Sequence, residues 1–237
     1  MNVDSTGRVG FTLRHRLIGR VSALAVFGLG VAYAVVTALG FRSLASPQDP
    51  IGAPYVTIME LLIVPLAALY LVTMVIVHAY ARPEDRGYSL IALAFMTVLA
   101  AITTGVHFVV LTVGPQLEAT GEPWVPLLVS FTWPSVAYAL DILAWDWFFA
   151  LSVLAAAAVF RTGRLERAVR LLLLLSGLLS LAGLLGVPFA DMQVRNVGVV
   201  GYAVVAPVAF LLIGVLFGRT RPDTEGVDRT RDSPAAA

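Results

Sequence analysis

The chain has 237 residues, of which 59% are hydrophobic and only 13% charged, with a formal net charge of +1 and a mean hydropathy of +0.87. A soluble domain carries about 25% charged residues, so this composition excludes a water-solvated fold and directs the chain to a bilayer. The lack of Cys excludes disulfides, thiol catalysis and Fe–S clusters, and the lack of Lys among the 16 basic residues excludes a retinal Schiff base.

Residues 1–16 form a polar, then basic, N-terminal segment. The apolar run over 17–41 continues for about 20 residues after Arg20, beyond the 7–15 of a signal peptide core, which predicts a retained first span. A loop rich in Pro, Ser and Asp follows over 42–54. The second span, 55–80, holds Glu60 near its start, Pro65 inside and His78 at its end. Pro65 cannot donate to the helical ladder, which predicts a kink. The third span, 88–113, carries Thr103, Thr104 and His107 toward its far end. Residues 114–131 form the longest connection and contain Glu118, Glu122 and Trp124; they are expected along the interface, with the Trp at headgroup level.

The fourth span, 133–160, carries two acids, Asp141 and Asp146, and places Pro134 in its first turn, where Pro is tolerated. A basic turn with Arg161, Arg164, Arg167 and Arg170 leads to the fifth span, 169–187, where Ser176, Ser180 and Gly183 offer a stripe of small residues for helix contact. The sixth span, 196–217, contains Pro207, a second expected kink, and ends on Gly214-x-x-x-Gly218. Residues 219–237 alternate Arg with Asp and Glu and are expected to be a disordered cytoplasmic tail. Tyr33-Ala-Val-Val and Tyr202-Ala-Val-Val match, but four residues of common membrane composition do not establish a repeat.

The expected fold is all-α: a polytopic integral membrane bundle of six transmembrane helices over 17–218, with the fourth helix central. If both termini are inside, 14 of the 16 Arg fall on the inner side and only Arg42 and Arg195 on the outer. The positive-inside rule therefore predicts N-in and C-in. The expected location is the plasma membrane of a prokaryote, where an all-Arg basic complement fits a GC-rich coding sequence.

With about 1.5 Å of rise per residue, Glu60, His107 and Asp141 all fall roughly 9–12 Å below the outer boundary. Three separate helices thus bring ionisable groups to one level. Asp146 is deeper and, at about 100° per residue, points roughly 140° away from Asp141, so the two acids do not form a side-by-side dyad. The Asp141 face also carries Tyr138. An acid at the centre of a spanning helix costs about 2.5–3.5 kcal/mol, so each acid must face protein or water.

The preferred reading is a binding or transport-like membrane protein whose polar site, in the outer half of the bundle, uses Glu60, His107, Tyr138 and Asp141, with Thr103, Thr104 and Asp146 as structural polar groups. The runner-up is an intramembrane metal-dependent, hydrolase-like enzyme in which Glu60, His107 and Asp141 hold the ion; a separate hydrolase reading, with Ser130 or Ser135 near His107 and Asp141, has no distinctive motif around either Ser. The metal reading lacks an HExxH or comparable spacing. A third reading is a purely structural or partner subunit. No cofactor is expected: paired-His haem ligation fails because His78 falls near the inner face, His107 near the outer one, and His15 before the first span. Expected partners are the lipid bilayer and a second copy or another membrane protein. Nucleic acid is not expected, because the Arg runs are short and continue into apolar helices.

Overall fold

The computed structural model describes residues 10–46 and 51–221. The first nine residues of the expected N-terminal segment and 222–237 of the expected tail lie outside the described residues. Among the described residues there is no strand, and six helices are long and apolar enough to cross a membrane. They are α1 (Leu13–Arg42), α2 (Tyr55–Tyr80), α3 (Pro83–Thr112), α6 (Val136–Val159), α7 (Gly163–Gly186) and α8 (Met192–Arg219). Two short helices, α4 (Gly114–Glu118) and α5 (Val125–Val129), lie in the long connection after α3. In a bilayer every backbone N–H and C=O must be satisfied within the segment, and an unbroken helix does so.

Several helices start earlier than apolar composition predicts, because polar caps extend them. At α1 the Thr12 hydroxyl accepts from the His15 N–H at 3.3 Å while His15 Nδ1 accepts from the Thr12 N–H at 3.2 Å, a reciprocal capping box. At α8 the Asp191 carboxylate accepts from the N–H groups of Gln193 at 2.9 Å and Val194 at 3.2 Å. This cap starts the sixth helix at Met192 rather than 196, so Arg195, expected in an outer loop, belongs to the helix. Conversely, Pro134 is not in the first turn of the fourth span: Ser135 caps α6 by accepting from the Tyr138 N–H at 3.1 Å, and Pro134 precedes that cap.

The six helices pack in a closed sequence, each against its chain neighbours, with α8 returning to α1. The fourth helix is the interior one. Of its most apolar stretch 61% is buried, against 17–44% in the other five. Its inner surface meets α2 and α8 through aromatic rings, with Tyr70 edge-on to Phe149 at 5.5 Å and to Phe210 at 4.6 Å, and Trp145 against Tyr202 at 5.2 Å. Edge-to-face pairs of this kind add to the burial energy of the rings by about 0.5–1.5 kcal/mol each.

The two interior prolines behave differently. Pro65 lies within an α-helix that runs on to Tyr80, on an exposed face. Pro207 follows a π-helical stretch over Val200–Val205. A wider turn relieves the clash between a proline ring and the preceding turn. The Pro207 ring seats against Gly30 of α1, where an added Cβ would stand 3.0 Å from Pro207 Cγ. A second π-helical stretch, Leu143–Phe149, lies in α6 and contains Asp146. The small residues of α7 face α8: Ser176 and Ser180 are fully buried, and the Ser176 hydroxyl donates to the Gly201 carbonyl at 2.9 Å.

Candidate functional site

At the end of the bundle where α2 and α6 begin and α3 ends, ionisable side chains from four helices form one continuous chain. Glu60 of α2 is 6% exposed and its Oε2 lies 2.5 Å from His107 Nδ1 of α3. The opposite ring nitrogen, Nε2, faces Asp141 Oδ1 of α6 at 3.4 Å. Asp141 Oδ2 in turn lies 3.8 Å from Arg195 Nη2 of α8. Arg195 Nε donates to Asp146 Oδ2 at 3.1 Å, and Nη1 donates to the Tyr138 hydroxyl at 3.3 Å. The guanidinium also sits 5.1 Å from the Tyr138 ring centre and 5.7 Å from that of Tyr202. An aromatic face is a favourable seat for a cation withdrawn from water.

The separation of Asp141 from Asp146 expected from α-helical rotation does not hold in its consequences. Both acids belong to one chain, because Arg195 reaches both. Part of the reason is the π-helical stretch that begins at Leu143: its i→i+5 repeat brings residues five apart closer to one face than an α-helix does. The other part is the reach of the guanidinium. Asp146 is fully buried, and among the described residues its Oδ1 accepts no hydrogen bond. It is seated instead against Gly198 of α8 and Gly183 of α7, and a Cβ on Gly198 would overlap Oδ1.

The long connection covers the chain. Phe131 stacks on the His107 ring at 5.1 Å and 17°, and meets Tyr138 edge-on at 6.5 Å. Within this segment Val125 and Val129 are buried while Trp124 is exposed. Of the two threonines near His107, Thr103 is fully buried with no hydrogen-bond partner for its hydroxyl, whereas Thr104 is exposed and outside the site. His78 is at the other end of α2, with Nδ1 at 2.8 Å from the Ser89 hydroxyl.

Two chemical possibilities can be tested on this geometry. Metal ligands converge on a point, but here Glu60 and Asp141 occupy opposite nitrogens of one imidazole, so the three line up instead. Among the described residues no group of three His, Cys, Asp or Glu is arranged to hold an ion. A serine hydrolase needs its hydroxyl within hydrogen-bond reach of the base. The Ser130 hydroxyl donates to the Pro126 carbonyl at 2.7 Å, and the Ser135 hydroxyl donates to the Ser130 carbonyl while capping α6. Neither is paired with His107.

A cavity of about 20 Å³, room for a single water, lies among Gly30, Tyr33, Tyr70, Trp145 and Tyr202. It brings together the two Tyr-Ala-Val-Val segments, since Tyr33 and Tyr202 both line it. Sequence reasoning missed Arg195, Tyr202 and Phe131. Only Arg195 had a readable signal, the capping residue Asp191 immediately before MQVR; the other two are set by packing. Comparison with family models, with curated proteins and with solved structures finds no match. What fold and composition define is a class, the multi-pass helical membrane protein.

Proposed function

We propose that this is a binding or transport-like membrane protein of the plasma membrane whose ligand is the proton, carried by the relay Glu60–His107–Asp141 in the outer half of an N-in, C-in bundle. The observation that carries this reading is the imidazole held between carboxylates from two other helices. An imidazole takes a proton on one nitrogen and releases one from the other, so Glu60 and Asp141 can exchange a proton through His107 without either moving.

Charge supports the same reading. Three carboxylates stand against one guanidinium and one imidazolium, which leaves one negative charge unbalanced in a buried site. An uncompensated buried charge costs several kcal/mol, and a bound proton removes it. Within this scheme Arg195 and Asp146 form the fixed anchor and Asp141 is the acid they share with the relay.

Infrared difference spectroscopy on purified protein across a pH titration tests the proposal. A protonated-carboxyl band that titrates in the native protein and is lost or shifted in both Glu60→Gln and Asp141→Asn is the expected result. A spectrum without such a band, or a band indifferent to both substitutions, overturns it.

A further inference from the structure

We propose that the groove between α1 and α8 at the Arg-rich end of the bundle binds the phosphate headgroup of an anionic phospholipid, gripped by Arg20 and Arg219. A cavity of about 210 Å³ opens there, lined by Arg20, Leu24, Gly214, Val215, Gly218 and Arg219. By helical rise Arg20 lies roughly 10 Å beyond the first residue of α1, within the apolar part of the helix. Its arm runs over Gly218, where an added Cβ would stand 3.4 Å from Arg20 Cδ and 3.5 Å from Nε. Gly214 makes the same allowance for Leu24, since a Cβ there would meet that side chain at 3.0 Å. The two glycines therefore form the floor of the groove.

Cations beside a helix C-terminus often do no more than offset its dipole. Arg16 already fills that role, donating to the Gly218 carbonyl at 2.6 Å. Arg20 and Arg219 are different: among the described residues neither donates a hydrogen bond to protein nor pairs with a carboxylate. Two guanidinium groups at one opening match the oxygens of a phosphate. Leu24 and Val215 continue the lining beyond the two cations, and Val31, 44% exposed and eleven residues on from Arg20 so that it shares its helical face, extends an apolar wall deeper into the bilayer suited to an acyl chain. Free phosphate would meet the same cations but leave that wall unused. This inference does not rest on the proton relay at the opposite end.

Native mass spectrometry of the full-length protein in neutral detergent, with equal phosphatidylglycerol and phosphatidylcholine, provides the test. The native protein is expected to retain one phosphatidylglycerol in preference to phosphatidylcholine, and millimolar inorganic phosphate is expected not to displace it. The double variant Arg20→Gln with Arg219→Gln should lower that preference by about tenfold or more. Gly214→Leu, which fills the groove with charge unchanged, should do the same. Arg164→Gln with Arg167→Gln, exposed at the same end but outside the groove, should leave it intact. Equal binding of the two lipids, displacement by inorganic phosphate, or an equal loss in the Arg164/Arg167 control overturns the proposal. Because each readout is a ratio measured on folded protein, a loss of yield in one variant does not obscure it.

Discussion

The two ends of the bundle both bury acids, and Glu166 at one end is satisfied in the opposite way to the acids at the other. At the Arg-rich end Glu166, 5% exposed, accepts from the Tyr80 hydroxyl at 2.6 Å, from the backbone N–H groups of Arg161 at 2.9 Å and Thr162 at 2.7 Å, and from the Thr162 hydroxyl at 3.0 Å. Nearby, Asp85 is met by Arg161 Nη2 at 2.8 Å. Around this knot Phe11, Tyr80, Phe160 and Phe217 pack as one aromatic cluster. Backbone donors tie Glu166 to the start of α7, so this carboxylate is part of the fold.

At the other end, among the described residues, Glu60, Asp141 and Asp146 have no backbone donor. Each meets only a side chain that is itself ionisable, and buried capacity is left over at His107 Nε2, Asp146 Oδ1 and Arg195 Nη2. A carboxylate held by backbone amides has one arrangement, whereas one held by titratable side chains can exchange protons with them. The contrast separates a lock from a candidate relay more clearly than burial does, since Glu166 and Glu60 are buried alike, at 5% and 6% exposed.

The largest expected effect comes from Arg195→Met. It leaves Asp146 buried and uncompensated, a loss of about 3–5 kcal/mol, read as a drop in thermal midpoint in detergent. The double variant Arg195→Met with Asp146→Leu should recover most of that loss; if it does not, Arg195 has a structural role beyond neutralising the acid. Glu166→Ala is expected to cost about 1–3 kcal/mol by leaving buried donors unmet, with the carboxyl band of the relay unchanged. A change in that band would break the distinction between the two ends.

Gly198→Ala should also cost about 1–3 kcal/mol through overpacking. It should perturb the carboxyl signals of the relay end as well, because the added methyl displaces the Asp146 carboxylate from its seat. The smallest stability effect is expected for Asp141→Asn, about 1 kcal/mol or less, because the carboxylate is partly exposed and its neighbours stand at 3.4 and 3.8 Å. The same variant should abolish the titrating band. A large stability loss without a spectroscopic change would convert Asp141 into a second lock.

Much of the architecture was legible in the chain because spanning is a local property. About 20 apolar residues in a row suffice to cross a bilayer, so six such runs announce six helices without reference to one another. The common level of Glu60, His107 and Asp141 also follows from local rise alone, and in the structure these three side chains are neighbours. Thr104 shows the limit of that reasoning: it is adjacent in sequence to Thr103, yet one faces out and the other is fully buried.

What only the tertiary structure decided is how the charges are connected. Arg195 reads as a loop residue when apolar composition sets the helix boundary, because a buried Arg is paid for by acids elsewhere in the chain. Asp141 and Asp146 read as separate because their rotation was counted on a continuous α-helix, whereas the helix becomes π-helical from Leu143 and Arg195 reaches both acids. Phe131 reads as part of a surface connection until it stacks on His107. Helix length and depth depend on the few residues around them, so sequence determines them. Which charge answers which depends on contacts between residues far apart in the chain, 49 positions for Asp146 and Arg195 and 57 for Tyr138 and Arg195, and only the packed bundle brings those together.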